Sequence, residues 1–116
     1  MSSNDKIQIF ESQQIRAAWN DEQEEWYFSV QDVVAVLTDS ADPKQYIKKM
    51  RTRDPELSSN WGTICTPVEM TAADGKRRKI QAANVEGILR IIQSIPSPKA
   101  EPFKLWMAQV GRDRKS

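Results

Sequence analysis

Apolar residues recur along this chain with two periods: a period of two near the N-terminus and again before Asn84, and a period near 3.6 in the segments between and after. The longer period is clearest from Asn84 to Val110. Val85, Ile88, Leu89 and Ile92 fall at i, i+3, i+4 and i+7, and Phe103, Trp106, Met107 and Val110 repeat that spacing, so each set forms a stripe on one helical face. Between them, Ile95-Pro96-Ser97-Pro98 cannot continue a helix, because proline lacks a backbone donor and pushes its predecessor out of the helical region. The pattern predicts a helical corner lying as a lid over a small core.

The rest of that core must come from upstream. Lys6 to Phe10 alternates with Ile7 and Ile9 on one face and predicts a first strand. Ile15, Ala17 and Trp19, then Trp26 and Phe28, alternate on either side of an acidic loop, Asp21 to Glu25. That loop has no glycine, so a four- or five-residue connection is expected. Ser29 is placed to cap the amide of Asp32, with Phe28 packing on Val33 across the cap. A helix is expected from Val30 to about Leu37, burying Val33, Val34 and Leu37. After a turn over Thr38 to Ala41, Asp42-Pro43 joins an N-cap to a proline at the first helical position and opens a second helix, to about Arg53. Tyr46, Ile47 and Met50 face inward there, and Asp54-Pro55 stops it.

Glu56 to Gly62 reads as a loop anchored by Trp61. Thr63 to Thr71 has strand character with Val68 and Met70 on one face, and Pro67 makes it an edge strand. Asp74-Gly75 marks a hairpin turn and Lys79 to Ala83 the returning strand, with Ile80 and Ala82 inward. Asn84 then caps the lid's first helix. The second has two candidate starts, Ser97-Pro98 and Glu101-Pro102, and Pro102 favours the later one. The fold class is α+β: small antiparallel hairpins packed against four or so short helices in a single domain. Residues 1–6 read as a flexible N-terminus and 112–116 as a basic tail.

Composition removes whole classes of chemistry. A single Cys65 and the absence of histidine exclude an internal disulfide and the usual zinc sets, so neither metal nor cofactor is expected. Asp32, Asp39 and Asp42 lie close in sequence, as the carboxylates of a metal-dependent nuclease would. Asp32 and Asp42 already serve helix N-termini, however, and no histidine base or glycine-rich phosphate loop accompanies them. The chain reads as non-enzymatic, with no catalytic residue. Cys65 reads as a packing residue, and Trp19, Trp26, Trp61 and Trp106 as core and rim aromatics rather than base-stacking platforms. The N-terminus, MSSNDK, has no secretory apolar core, and the longest apolar run, Val33 to Leu37, is too short to span a bilayer. A cytoplasmic protein without membrane association is expected.

The formal net charge of +1 hides a polarity along the chain. Residues 1–42 hold nine carboxylates against Lys6 and Arg16, whereas residues 43–116 hold fifteen Lys and Arg against seven carboxylates. Such asymmetry points to a polyanionic partner, or to halves that interleave and cancel.

Three runs of sequence carry a family resemblance. They are Trp26-Tyr27-Phe28-Ser29-Val30-Gln31-Asp32-Val33, then Glu86 to Pro96 (EGILRIIQSIP), then Pro98 to Trp106 (PKAEPFKLW). Together they resemble the Bro-N domain, the N-terminal module of BRO-family and phage antirepressor proteins. The Ser-Ile-Pro-Ser-Pro-Lys-Ala-Glu-Pro-Phe run is similar to its bacterial, DNA-damage-inducible protein D-like branch. The likeness spans about Ile7 to Gly111. It implies an α+β fold, a DNA-binding role and a setting in prophage or damage-response transcription regulation. In such proteins the module is joined to a further C-terminal region, so the end of this chain reads as a truncation point of a longer protein. Two departures stand out: Ile47, where that branch carries an aromatic after Tyr46, and Arg112-Asp113-Arg114 after Gly111.

Two basic segments are the candidate nucleic-acid-binding residues. Lys44, Lys48, Lys49, Arg51 and Arg53 lie on the second helix, which with the first has the outline of a helix-turn-helix or is simply a packed, solvated pair. Lys76, Arg77, Arg78 and Lys79 lie at the second hairpin's tip, where Arg77 or Arg78 could read guanine in a major groove, or where four cations blunt a sheet edge. The expected partner is double-stranded DNA, and a homodimer would match a two-fold site. The alternative is a protein–protein interaction module that binds a repressor or recombination protein through Asp21 to Glu25 and the edge strand near Pro67.

Overall fold

A computed structural model describes residues 5–72 and 74–115 of the chain, with side chains described from Ile7 to Val110. Residues 1–4, within the segment read as a flexible N-terminus, lie outside the described residues. The elements run β1 (Asp5–Phe10), β2 (Gln13–Asn20), β3 (Glu25–Ser29), α1 (Val30–Thr38), α2 (Pro43–Arg53), α3 (Pro55–Ser59), α4 (Trp61–Ile64), β4 (Thr66–Thr71), β5 (Arg77–Ala83), α5 (Val85–Gln93) and α6 (Ala100–Lys115). The α+β reading holds. The two hairpins do not stand apart, however: they join in one five-stranded antiparallel sheet of order β1-β2-β3-β5-β4.

Period-two patterning explains the sheet's two faces. Ile15, Ala17, Trp26 and Phe28 point to one side, where they meet α1, α5 and α6 in the main core around Val33, Val34, Ile88, Ile92, Phe103 and Met107. Removing a fully buried side chain such as Phe28 or Phe103 from water contributes about 1.5–3 kcal/mol each. The helical corner does cover this core, with Ile91 added to the expected stripe. On the opposite face, β5 is paired with β3 only at Phe28↔Ala83 and Ser29↔Ala82. Beyond those pairs the β4–β5 hairpin makes a second small core, Met70, Ala82 and Ala18, with Val68, Ile80 and Tyr27 against it. Ile7 and Ile9 share the side of β1 turned away from the main core and are exposed, while Phe10 turns inward against Phe103 and Trp106.

Caps set the helix starts where the sequence placed them. Ser29 accepts from the Asp32 amide at 3.3 Å, Asp42 from that of Gln45 at 3.1 Å, and Asn84 from that of Gly87 at 2.9 Å. The connection between β2 and β3 spans Asp21 to Glu24, the four-residue loop that a glycine-free sequence favours. Three expectations fail. Thr63 and Ile64, read as the start of the strand that ends at Thr71, instead close α4, and β4 begins at Thr66. Residues 56–62 are not a loop, because Asp54-Pro55 both ends α2 and starts α3: Asp54 accepts from the Leu57 amide at 3.0 Å while Pro55 takes the first helical position. The cations read as a freely projecting tip are mostly in strand. Only Lys76 belongs to the turn, and β5 sends Arg77 and Lys79 to one face and Arg78 to the other.

The lid's second helix starts at Ala100, so Pro102 falls in the first turn, where its missing donor costs nothing, and the backbone stays helical through Lys115. The segment between the two lid helices caps α1 from outside. Ser97 Oγ donates to the Leu37 carbonyl at 2.6 Å, and Lys99 Nζ donates to the Val36 carbonyl at 3.3 Å and to the Asp39 carboxylate at 3.0 Å. Asp39 itself takes the left-handed conformation, with φ 55°, that ends many helices.

Candidate nucleic-acid interface

Helix α2 reads PKQYIKKMRTR: five cations and no acid in eleven residues. Met50 is fully buried, and Tyr46 and Ile47 are half-buried against the main core, so the helix is held by one face. Lys44, Lys48 and Lys49 are exposed on the remaining surface. Arg51 lies over the Trp61 ring, 4.9 Å from its centroid, with its Nε buried and without a hydrogen-bond partner. Arg53 Nη2 donates to the Ser94 carbonyl at 3.1 Å.

The corner after α2 is tied down by Asp54. Besides capping α3, its carboxylate accepts from Ser94 Oγ at 2.7 Å and from Arg90 Nη2 at 3.4 Å. The Ser94 hydroxyl, the Leu57 amide and the Arg90 guanidinium together hold the Asp54 carboxyl below the usual carboxylate range. With this corner fixed, α2 and α3 flank an open groove of about 360 Å³ lined by Lys44, Ile47, Lys48, Arg51, Thr52 and Ser58. Its three cations sit at i, i+4 and i+7, one stripe of the helix. Lys49 and Arg53 lie off that stripe, and the hairpin cations do not line the groove.

Ion pairing separates the two basic segments. In the hairpin, Arg77 Nη2 lies 3.4 Å from Glu69 and Arg78 Nη2 lies 2.5 Å from Asp74, leaving Lys76 and Lys79 without a carboxylate partner among the described residues. The Arg78 guanidinium, helped by the Lys76 amide, pulls the Asp74 carboxyl below its ordinary value. Arg16, Arg90, Lys99 and Lys104 are likewise paired, with Asp32, with Asp54 and Glu56, with Asp39, and with Glu101. None of the five α2 cations has a carboxylate within ion-pair distance among the described residues. Like charges at Lys44/Lys48 and Lys49/Arg53 repel at i, i+4, which costs a helix about 0.2–0.5 kcal/mol per pair. The fold uses Arg51 through Trp61 and Arg53 through the Ser94 carbonyl, but the charges of Lys44, Lys48 and Lys49 meet no carboxylate among the described residues.

The three aspartates close in sequence do not converge. Asp32 is paired with Arg16, Asp39 with Lys99, and Asp42 caps α2. No group of three metal-ligating side chains gathers among the described residues. Cys65 is buried, and that burial pushes its thiol up to about 12 against a small opposing pull from Arg51. No helix among the described residues is long and apolar enough to cross a membrane.

Residues 14–111 match the family model for the BRO family, N-terminal domain. The chain belongs to that family. No curated protein and no solved structure matches it. The Bro-N domain is generally associated with DNA-binding regulatory proteins. In this Bro-N domain the features sequence reasoning missed are Trp61 beneath Arg51 and Ser58 across the groove. The Asp54-Pro55 dipeptide was their one available signal, since it announces α3 by the same chemistry that Asp42-Pro43 announces α2.

Proposed function

We propose that this Bro-N domain binds double-stranded DNA through α2, as a non-catalytic regulatory module of an antirepressor-like or DNA-damage-inducible protein. The observation that carries this reading is the charge of α2. Five cations without a carboxylate partner among the described residues stand on one helix, in a domain where every other described Arg or Lys side chain except Lys76 and Lys79 has one. Polyphosphate is the partner that such a surface attracts, by displacing condensed counterions. The hairpin is a secondary contact in this reading: Lys76 and Lys79 add attraction, while Arg77 and Arg78 must first give up Glu69 and Asp74.

The test is a fluorescence anisotropy titration against random-sequence duplex at several salt concentrations. Five phosphate contacts give a log–log slope of about −4.5. Lys44→Glu with Lys48→Glu should abolish binding while the thermal transition stays in place. A slope near zero, or affinity unchanged in that double variant, would remove the DNA assignment. The competing reading, a module that docks on a repressor or recombination protein, draws support from the exposed Asp21, Glu22 and Glu24 and from the open edge of β4. It predicts partner capture that Lys44→Glu with Lys48→Glu leaves intact.

A further inference from the structure

We infer that the α2–α3 groove is a seat for one phosphate group, with Lys44, Lys48 and Arg51 as its cations and Ser58 as its hydroxyl donor. The inference rests on the DNA reading for its natural occupant, a backbone phosphodiester, but its geometry is independent of it. Arg51 is held in place: Trp61 supports the guanidinium, Nε is buried without a hydrogen-bond partner, and the residue lines the groove. An arginine fixed this way loses little side-chain freedom when it meets a phosphate. Thr52 Oγ1 already donates its proton to the Lys48 carbonyl at 3.0 Å. Ser58 Oγ has no hydrogen-bond partner among the described residues and is half-buried in the groove wall, free to donate. Ile47 makes an apolar floor on which a sugar can rest. The volume of the open groove suits a phosphate with its attached deoxyribose.

Neighbouring lysines supply an internal control. Lys48 and Lys49 are both exposed on the same helix turn, yet only Lys48 lines the groove. A seat predicts that Lys48→Ala lowers duplex affinity about tenfold, the size of a lost charged hydrogen bond, and Lys49→Ala about twofold, the size of a lost surface charge. Inorganic phosphate, added to the native domain in a 15N-resolved NMR titration, should shift the Arg51, Thr52 and Ser58 amides saturably. It should leave those of Lys76 and Lys79 unmoved. Equal losses for the two alanine variants, or a uniform unsaturable shift at all cations, would overturn the seat while leaving the DNA reading intact. Saturable phosphate shifts in a native domain that binds no duplex would uphold the seat, assign it to a free phosphorylated compound, and end the DNA reading. Ser58→Ala keeps every charge, so its loss of phosphate saturation separates a built site from diffuse attraction.

Discussion

Arg16 and Asp32 form a two-pronged ion pair, Nε to Oδ2 at 2.8 Å and Nη2 to Oδ1 at 2.9 Å, and the Arg16 backbone amide donates to the same carboxylate at 2.9 Å. The pair fastens the middle of β2 to the first turn of α1, and Arg16 Nη1 reaches the Thr71 carbonyl at the end of β4, at 3.5 Å. Three parts of the chain far apart in sequence thus share one guanidinium. Side-chain exposures of 22% and 19% make the pair largely desolvated, so removing one partner strands the other. Asp32→Ala should cost about 2 kcal/mol in urea denaturation, and Asp32→Asn less, because the amide oxygen still accepts.

Two glycines should respond in opposite directions. A Cβ at Gly87 would stand 2.7 Å from the Ile64 carbonyl oxygen and 2.9 Å from Ala83 Cβ, contacts that only a shift of α5 could relieve. Gly87→Ala should therefore destabilise by about 2 kcal/mol through overpacking, although alanine is the better helix former. A Cβ at Gly62 meets nothing within 4 Å. Gly62→Ala should be neutral or stabilise by about 0.5 kcal/mol in the same assay.

The β1–β2 turn is a place to gain stability. Phe10 pairs with Gln13, so Glu11 and Ser12 alone make the connection, and both have positive φ, 49° and 70°. Side chains at such positions cost about 1–2 kcal/mol relative to glycine. Glu11→Asn with Ser12→Gly supplies the residues that a two-residue primed turn prefers, and should raise the unfolding free energy by about 1 kcal/mol. No change would mean that the strain is relieved elsewhere in β1.

Cys65 should be inert until the domain opens. Its thiol is buried and titrates at about 12, so the reactive thiolate is scarce at pH 8. An aromatic disulfide reagent should find one equivalent of thiol in denaturant and almost none in the native state. Rapid labelling without denaturant would show that the α4–β4 junction opens on its own.

Much of this architecture was legible because short polar signals have local physical causes. Asp42-Pro43 and Asn84 announce helix starts through groups within four residues, and the alternation of Ile15, Ala17, Trp26 and Phe28 announces a half-buried hairpin. The β1–β2 turn hid because Glu11-Ser12 contains none of the glycine or asparagine that its backbone favours. Helix α3 hid for the opposite reason: one dipeptide, Asp54-Pro55, served as both stop and start. The state of the hairpin cations could not be read at all. Whether Arg77 finds Glu69 depends on the β4–β5 register, Thr71 opposite Arg77 and Glu69 opposite Lys79, which bare charge counting does not contain. The groove is less legible still, since it needs Ser58 to approach Arg51 through a corner held by Ser94, forty residues on from Asp54.

The clasp of Ser97 and Lys99 on the last carbonyls of α1 has a consequence for biosynthesis. Those oxygens lie sixty or more residues ahead of the groups that satisfy them. As the polypeptide leaves the ribosome, the early helix emerges with its end unsealed and only water to answer it. The N-terminal half is thus not a finished unit waiting for its neighbour. Closure of α1 therefore waits for the Ser-Pro-Lys segment, so a stretch made sixty residues later completes the first helix.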